Sequence, residues 1–439
     1  LILAATWLSP LIRLFHSIEV FAIYTGASAF TLLTYMIMIY IFDLYNMERT
    51  RLSRDTGLRL AVAVGMAGFV VVFIFYTLPN WQYGRGIFVI QMMLVFCFLS
   101  GWRWILSAIF PAGIGKEDVL IVGAGRSATK LYHLLENAGS PYRVVGFLDD
   151  DPAKLGRTVG SEPVIGTTDQ LMDIADQKGV RTAILAITHD RPRELIDHAL
   201  KSRLHGLTIM DMPAVYEEMT GSIPVEHLRY DWLLFADGFY LLSKPYVQRV
   251  KRLIDFATSG LLLIISAPIV LLTAIAIKIE SRGPVFFRQE RVGKDEEVYI
   301  VWKFRSMRQD AEQEGAVWAD EDDPRVTRVG RLIRFLRIDE LPQIVNVFRG
   351  DMSFIGPRPE RPEFVQSLKA RIPYYTIRHS VRPGITGWAQ VKYGYGASVE
   401  DALKKLEYDV FYIKNMSLLL DTKILLKTIG VVLFGQGAR

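Results

Sequence analysis

Cysteine is almost absent from this 439-residue chain: the single thiol, Cys97, lies inside an apolar run. One thiol excludes a disulfide framework and a cysteine-based zinc cluster. Charge is absent over long stretches as well. Residues 20–42, 60–84 and 86–102 carry no Asp, Glu, Lys or Arg. A charge at the bilayer centre costs about 2.5–3.5 kcal/mol on insertion scales, and about 20 apolar residues span the hydrocarbon. Such runs in close succession point to membrane helices, not to buried helices of a soluble protein. No cleavable signal peptide is predicted. The chain begins with Leu1, so its natural start is expected upstream.

What is present then sets the orientation. The loop 43–59 holds Arg49, Arg51, Arg54 and Arg59, whereas 80–85 holds only Arg85. Basic loops stay cytoplasmic, so the first loop is predicted inside and the second outside. The first run, 20–42, then crosses from outside to inside, which a missing or partial earlier helix, with residues 1–9 as its remnant, would explain. The third run returns the chain to the cytoplasm, with Arg103 expected to snorkel to the interface. Hydrophobic residues make up 51% of the chain and the formal charge is +5. That balance fits anionic lipid, phosphate or nucleotide as partner, and nucleic acid is not expected. The length suggests two or three domains.

From Lys116 the pattern changes to an α/β rhythm. "DVLIVGAGRSATKLYHLLENAG" reads as strand, tight turn and helix, and strand-like runs recur at "YRVVGFL", "TAILAI" and "LTIMDM". The alternation predicts a parallel sheet flanked by helices, Rossmann-like in type. Gly123 and Gly125 sit in the turn and Asp149 ends the next strand, where an acid meets a ribose in nucleotide-binding folds. The turn serves either a bound nucleotide or nucleotide-sugar, or helix–strand packing; the motif alone does not separate these. Two Tyr-x-x-x-Lys matches, Tyr240/Lys244 and Tyr299/Lys303, are read as chance. The second lies in a strand-like run, where residues four apart are too distant to act as a pair.

A fourth apolar run, 253–277, differs from the others. Arg249, Lys251 and Arg252 precede it, and Lys278, Arg282 and Arg288 follow it. Both flanks prefer the cytoplasmic side, which a simple span cannot satisfy. A re-entrant helix bending at Pro268 can, with Ser266 expected to bond a carbonyl freed by the proline. The alternative is an ordinary kinked transmembrane helix, which would place the C-terminal domain outside.

After that run comes "RIDELPQIVNVFRGDMSFIGPRPE". Asp339 and Glu340 are either a solvated helix start or a reacting pair facing an anion held by Arg334, Arg337 and Arg358. "VYIVWKFRSM", the DELPQ block, "GPRPE" and "RHSVRPGITGWAQV" together resemble the bacterial sugar transferases. These are the polyprenyl-phosphate hexose-1-phosphate transferases, also called monotopic phosphoglycosyl transferases. The resemblance covers residues 245–439. The upstream helices and sheet look like its large multi-domain members, and "KYGYGAS" with the tail looks like the exopolysaccharide-associated type.

The resemblance implies a membrane protein with a transmembrane α-helical bundle at 1–112 and a Rossmann-like domain at 113–235. A mixed α/β monotopic catalytic domain with its re-entrant helix follows at 236–439. It implies transfer of a hexose-1-phosphate from a UDP-sugar to undecaprenyl phosphate, with UMP released, at the cytoplasmic face of the bacterial inner membrane. By the same resemblance Asp339 is the nucleophile and a Mg2+ ligand, and Glu340 activates or orients the lipid phosphate. Lys303, Arg305, Arg334, Arg358 and Arg382 fall at its anion-binding positions. Amphipathic runs near 245–255 and 402–434 are expected at the interface, and a homodimer through the sheet domain is expected. The chain departs from the family's Ser-Pro bend by placing Ala267 before Pro268. Two other readings make different expectations: a plain glycosyltransferase would release UDP, and a scaffold would be indifferent to Asp339.

Overall fold

The computed structural model describes residues 25–42, 44, 54–77, 85–109, 116–137, 140–188, 191–228, 239, 245–308, 325–394, 396 and 398–433, with positions 2, 4, 5 and 8. Parts of the orienting loops 43–59 and 80–85 (residues 43, 45–53 and 80–84), the segment around the 235/236 boundary, and Tyr240 with Lys244 lie outside the described residues. The chain divides into two compact units, 1–116 with 137–141, and 117–136 with 142–439.

In the first unit, helices α1 (Thr25–Ile41), α2 (Arg54–Thr77) and α3 (Arg85–Ile109) occupy the uncharged runs. Segments Thr56–Phe75 and Gly86–Ile105 are long and apolar enough to cross a membrane, while Ala29–Ile41 is shorter. Gly68 lets α2 approach α3 closely, since a Cβ there would stand 2.8 Å from Met92 Sδ; small residues serve this purpose between membrane helices. Arg103 departs from expectation. It is buried, and its Nη2 donates to the Leu44 carbonyl at 2.8 Å. A guanidinium within reach of a backbone acceptor has no need to extend to a headgroup.

The second unit opens with strands β1 (Glu117–Val122), β2 (Tyr142–Leu148), β3 (Thr158–Val159), β4 (Glu162–Gly166), β5 (Thr182–Leu185) and β6 (Thr208–Asp211). They form one sheet in the order β3-β4-β2-β1-β5-β6, parallel except for β3. Helices α4 (Arg126–Glu136), α5 (Leu171–Lys178), α6 (Arg193–Leu204) and α7 (Met212–Thr220) cover it. Alternation along β1 explains the layering. Val119 and Ile121 pack with α4 and α7, whereas Leu120 and Val122 pack with α5 and α6. A strand buried on both faces must be apolar throughout.

Helix α8 (Pro245–Glu280) then runs for 36 residues with Pro268 inside it, about 54 Å at 1.5 Å per residue. Its helical backbone continues through Pro268, so the structure shows an interior proline and not a break between two helices. Ser266 is buried. Earlier in the helix, Ser259 Oγ donates to the Phe256 carbonyl at 3.1 Å. One side of α8 is packed and the other is apolar and open, with Ile264 74% and Ile279 82% exposed.

Beyond α8 come an antiparallel hairpin of β7 (Phe286–Val292) and β8 (Val298–Phe304), helices α9 (Arg328–Phe335) and α10 (Gln343–Arg349), and strand β9 (Ser353–Ile355). Helix α11 (Pro362–Arg371), strand β10 (Gly384–Thr386), and helices α12 (Trp388–Lys392), α13 (Val399–Lys414) and α14 (Leu418–Leu433) follow. Strand β9 pairs with β10 in parallel. Helix α13 buries Leu406, Val410, Tyr412 and Ile413. It is therefore a core helix, and of the expected interfacial run 402–434 only α14 shows an open apolar side, at Leu418, Leu419, Leu425 and Ile429.

Candidate active site

The site begins where α9 is anchored. Thr327 caps the helix by accepting from the Gly330 amide at 2.9 Å, and Glu280 at the end of α8 accepts from the Arg328 and Val329 amides at 2.7 and 3.0 Å. Side-chain oxygens here satisfy amides that a helix start leaves unpaired. Gly330 is required by space, because a Cβ would stand 2.0 Å from the Ser306 carbonyl oxygen. After α9 the chain turns sharply at Arg337, whose φ of 58° lies in the left-handed region. Such a conformation costs a bulky residue about 1–3 kcal/mol, and such strain clusters at functional turns. It delivers the 3-10 turn Ile338–Glu340, and Pro342, which has no backbone N–H to leave unpaired, stands just before α10. Ile338 and Leu341 tie this turn to Val270 and Ala274 of α8 and to Phe304 of β8.

The two acids meet different surroundings. Glu340 is 12% exposed, and its Oε1 accepts from Arg358 Nη2 at 2.7 Å and from Lys303 Nζ at 3.4 Å. Burial pushes its carboxyl up, but Arg358 and Lys303 more than reverse that and hold it well below the usual carboxylate range. Asp339 takes the opposite direction: burial, and then the neighbouring Glu340 charge, push it up. Asp339 Oδ1 is buried and has no hydrogen-bond partner. A buried acceptor left unpaired costs about 1–3 kcal/mol, so native structures pair such atoms with protein, water or a ligand. Burial likewise lowers the Lys303 ammonium, while the Glu340 charge raises Arg358.

Two distant blocks build the Arg358 loop. The Gly356 amide donates to the Thr386 carbonyl and the Gly384 amide to the Pro357 carbonyl, each at 2.9 Å. Both glycines are forced by contact, since a Cβ on Gly384 would stand 2.1 Å from the Gly356 nitrogen. "GPRP" and "RPGITG" are thus the two sides of one backbone junction.

Of the cations singled out by sequence, Lys303 and Arg358 reach the dyad directly. Arg334 Nε donates to Ser306 Oγ at 2.8 Å, and the Arg334 charge lies within electrostatic reach of Asp339. Arg382 joins the junction through its backbone, its carbonyl facing Gly356. Arg305 is turned away: it is buried and donates to the carbonyls of Arg282 and Ser281 at 2.9 and 3.0 Å, bracing the end of α8. Arg291 and Arg378 were not singled out. Arg291 donates to the Pro359 carbonyl at 3.0 Å and Arg378 to the Arg358 carbonyl at 2.8 Å, both supporting the loop from behind. Arg291 alternates inward along "FFRQERV", and Arg378 stands four residues before Arg382 in the recognised block; those were the available signals. Tyr299, on β8 with Lys303, has a buried hydroxyl without a partner.

In the sheet region, Gly123 has a φ of 104° and a Cβ there would meet Ile187 Cγ1 at 2.7 Å. Asp149 accepts from the Ala124 amide at 2.7 Å and the Asp151 amide at 3.0 Å, and pairs with Lys154 at 3.0 Å. Burial raises this carboxyl and those bonds outweigh it, leaving it lowered.

Comparison with known proteins sets this geometry in context. A family model described as bacterial sugar transferase matches residues 246–435, and one described as CoA-binding domain matches 40–198. A UDP-glucose:undecaprenyl-phosphate glucose-1-phosphate transferase of Xanthomonas campestris pv. campestris is 30% identical over 94% of this chain and 87% of its own length. The chain belongs to the bacterial sugar transferase family. A UDP-N-acetylgalactosamine-undecaprenyl-phosphate N-acetylgalactosaminephosphotransferase of Aeromonas hydrophila is 47% identical over 53% of this chain and 54% of its own. An undecaprenyl-phosphate glucose phosphotransferase of Komagataeibacter xylinus is 35% identical over 73% and 60%. The chain therefore spans little more than half the length of these last two family members.

Proposed function

We propose that this chain transfers a hexose-1-phosphate from a UDP-sugar to undecaprenyl phosphate, releasing UMP through a phosphosugar intermediate on Asp339. The observation that carries the reading is the buried Asp339 Oδ1 without a partner, one residue from a Glu340 held by Arg358 and Lys303. One acid of the pair is restrained and the other has free lone pairs. An Asp339 oxygen attacks the phosphorus that bears the sugar, and the bond to the UMP oxygen breaks. An oxygen of undecaprenyl phosphate then attacks the same phosphorus, the bond to Asp339 breaks, and the carboxylate is restored. Glu340, fixed by two cations, orients the incoming phosphate. Splitting the transfer in two gives ping-pong kinetics.

The residues also fit a Mg2+ ion. No cluster of three or more His, Cys, Asp or Glu exists among the described residues. Mg2+ needs none, because it is commonly held by one or two carboxylates together with substrate phosphates. Asp339 Oδ1 would be its protein ligand, with Glu340 beside it. When bound, the ion neutralises charge on the phosphoryl oxygens, the chemistry that phosphoryl transfer requires.

We also read α8 as re-entrant, with the catalytic region on the cytoplasmic face of the inner membrane. Two observations support the re-entrant reading. Near its start, Arg252 donates to the Val347 and Phe348 carbonyls at 2.6 and 2.7 Å; at its end, Glu280 caps α9. Both ends of the helix are held by the same region, while its open side is apolar. The sheet region is read as Rossmann-like.

The test is UMP release from purified full-length protein supplied with Mg2+, undecaprenyl phosphate and a panel of UDP-sugars. Release from one sugar, lost in Asp339→Asn, supports the reading and names the donor. UDP in place of UMP points to simple glycosyl transfer, and no nucleotide from any sugar returns the chain to a scaffold.

A further inference from the structure

A deeply buried ion pair lies behind the dyad, not in it. Arg378, on the 3-10 turn Tyr375–Ser380, and Asp409, on α13, are 7% and 2% exposed and 3.0 Å apart. Arg378 Nη1 donates to Tyr375 Oη at 2.6 Å, and Nη2 donates to the Arg358 carbonyl at 2.8 Å. None of these contacts involves Asp339 or Glu340. Arg358 thus has its carbonyl held from behind by Arg378 while its own guanidinium holds Glu340 in front, at 2.7 Å.

Helix α13 is itself clamped from the sheet region. Glu407, 1% exposed, accepts from Lys130 of α4 at 3.1 Å and from Lys404 at 2.5 Å. The hydroxyl of Tyr216 of α7 donates to the same carboxylate at 3.4 Å, and the Ile223 amide donates to the Glu407 carbonyl at 3.0 Å. Residues two apart on a helix point to roughly opposite sides, at 3.6 residues per turn. Glu407 therefore faces the sheet region while Asp409 faces the Arg358 loop, with α13 between them.

We propose that Arg378 is a positioning residue for the transfer reaction, and that Asp409 and the Glu407 clamp fix Arg378 in place. The proposal rests on the reading of Asp339 and Glu340 as the transfer site. The loop leaves little else free to move. Pro357 and Pro359 restrict it, and the Gly384 amide holds the Pro357 carbonyl at 2.9 Å. The Arg358 carbonyl is the next point along the chain, and Arg378 occupies it. A guanidinium with several donors in a rigid fork suits this task. Losing it lets the Arg358 side chain drift from Glu340, and a displacement of about 1 Å at a reacting group costs roughly 10²-fold in rate.

The experiment measures UMP release against UDP-sugar concentration for wild type, Arg378→Gln, Arg378→Lys, Asp409→Asn and Lys130→Met, each in the full chain with undecaprenyl phosphate. Melting temperatures are recorded for each. We expect kcat to fall about 10- to 100-fold in Arg378→Gln, with the donor KM little changed. Arg378→Lys should recover part of the loss by keeping a charge beside Asp409. Lys130→Met should lose least. A structural pillar alone would lower the melting temperature and leave kcat per folded molecule intact, and that result overturns the proposal. A raised donor KM with unchanged kcat also overturns it, since Arg378 would then act in binding. If Arg378→Gln does not fold, Arg378→Lys and Asp409→Asn decide by the same split. Wild-type protein that releases no UMP from any donor overturns the underlying reading and not the positioning role alone.

Discussion

Asp149 of the sheet region and Asp339 of the region that matches the sugar transferase family both stand beside a tight turn, and both are largely withdrawn from water. Asp149 accepts two backbone amides and pairs with Lys154, so its charge is matched within its own fold. Asp339 has an oxygen with no partner, next to an acid whose charge raises it further. The first arrangement stabilises a turn. The second is unfavourable in the free protein and becomes favourable only when something arrives to satisfy it. An acid at a turn is therefore weak evidence of function, whereas an acid denied its partners in a cationic site is strong evidence.

The largest expected effect separates the two acids directly. On the proposed role of Asp339 as nucleophile, Asp339→Asn should lower UMP release by about 10³-fold or more, while Asp149→Asn should leave it within about two-fold. Equal losses at both positions would erase the contrast. A smaller effect belongs to the grip on Glu340. Arg358→Lys replaces a planar fork with a point charge and should cost about 10- to 100-fold in kcat/KM.

The glycines sharpen the same comparison in stability. Gly330→Ala drives a Cβ toward the Ser306 carbonyl at 2.0 Å, whereas Gly125→Ala enters open space. Denaturant titration should show a loss of about 1–3 kcal/mol for the first, typical of overpacking, and within about 0.5 kcal/mol for the second.

The smallest effect concerns pH. Burial, and then the Arg378 charge, lower His379 to about 4 from an ordinary 6.5. The unfolded chain takes up this proton first as pH falls, so the contribution of His379 to stability is intact above 6.5 and lost between about 6.5 and 4. Melting temperatures should decline across that window, and less steeply in His379→Gln.

Much of this was legible in the sequence, and what was not shares a cause. The uncharged runs give helices because each is apolar all round, a local property. The sheet follows from alternating strand and helix patterns, and the dyad from the density of motifs about it. Direction of a side chain is not local. Arg305 carries the same charge as Arg358 in an equally suggestive block, yet it turns to carbonyls at the end of α8. Arg103 meets a carbonyl 59 positions away, and Lys130 meets Glu407 across 277. Such partners are set by packing, so a charge can be read from sequence while its role cannot.

The most direct test of the central claim is the mass of the protein after brief exposure to its UDP-sugar and Mg2+ without undecaprenyl phosphate. One sugar-phosphate added per chain is expected, located on Asp339 by peptide mapping, with a matching burst of UMP and neither in Asp339→Asn. An unmodified protein that still makes the lipid product when acceptor is added would contradict it.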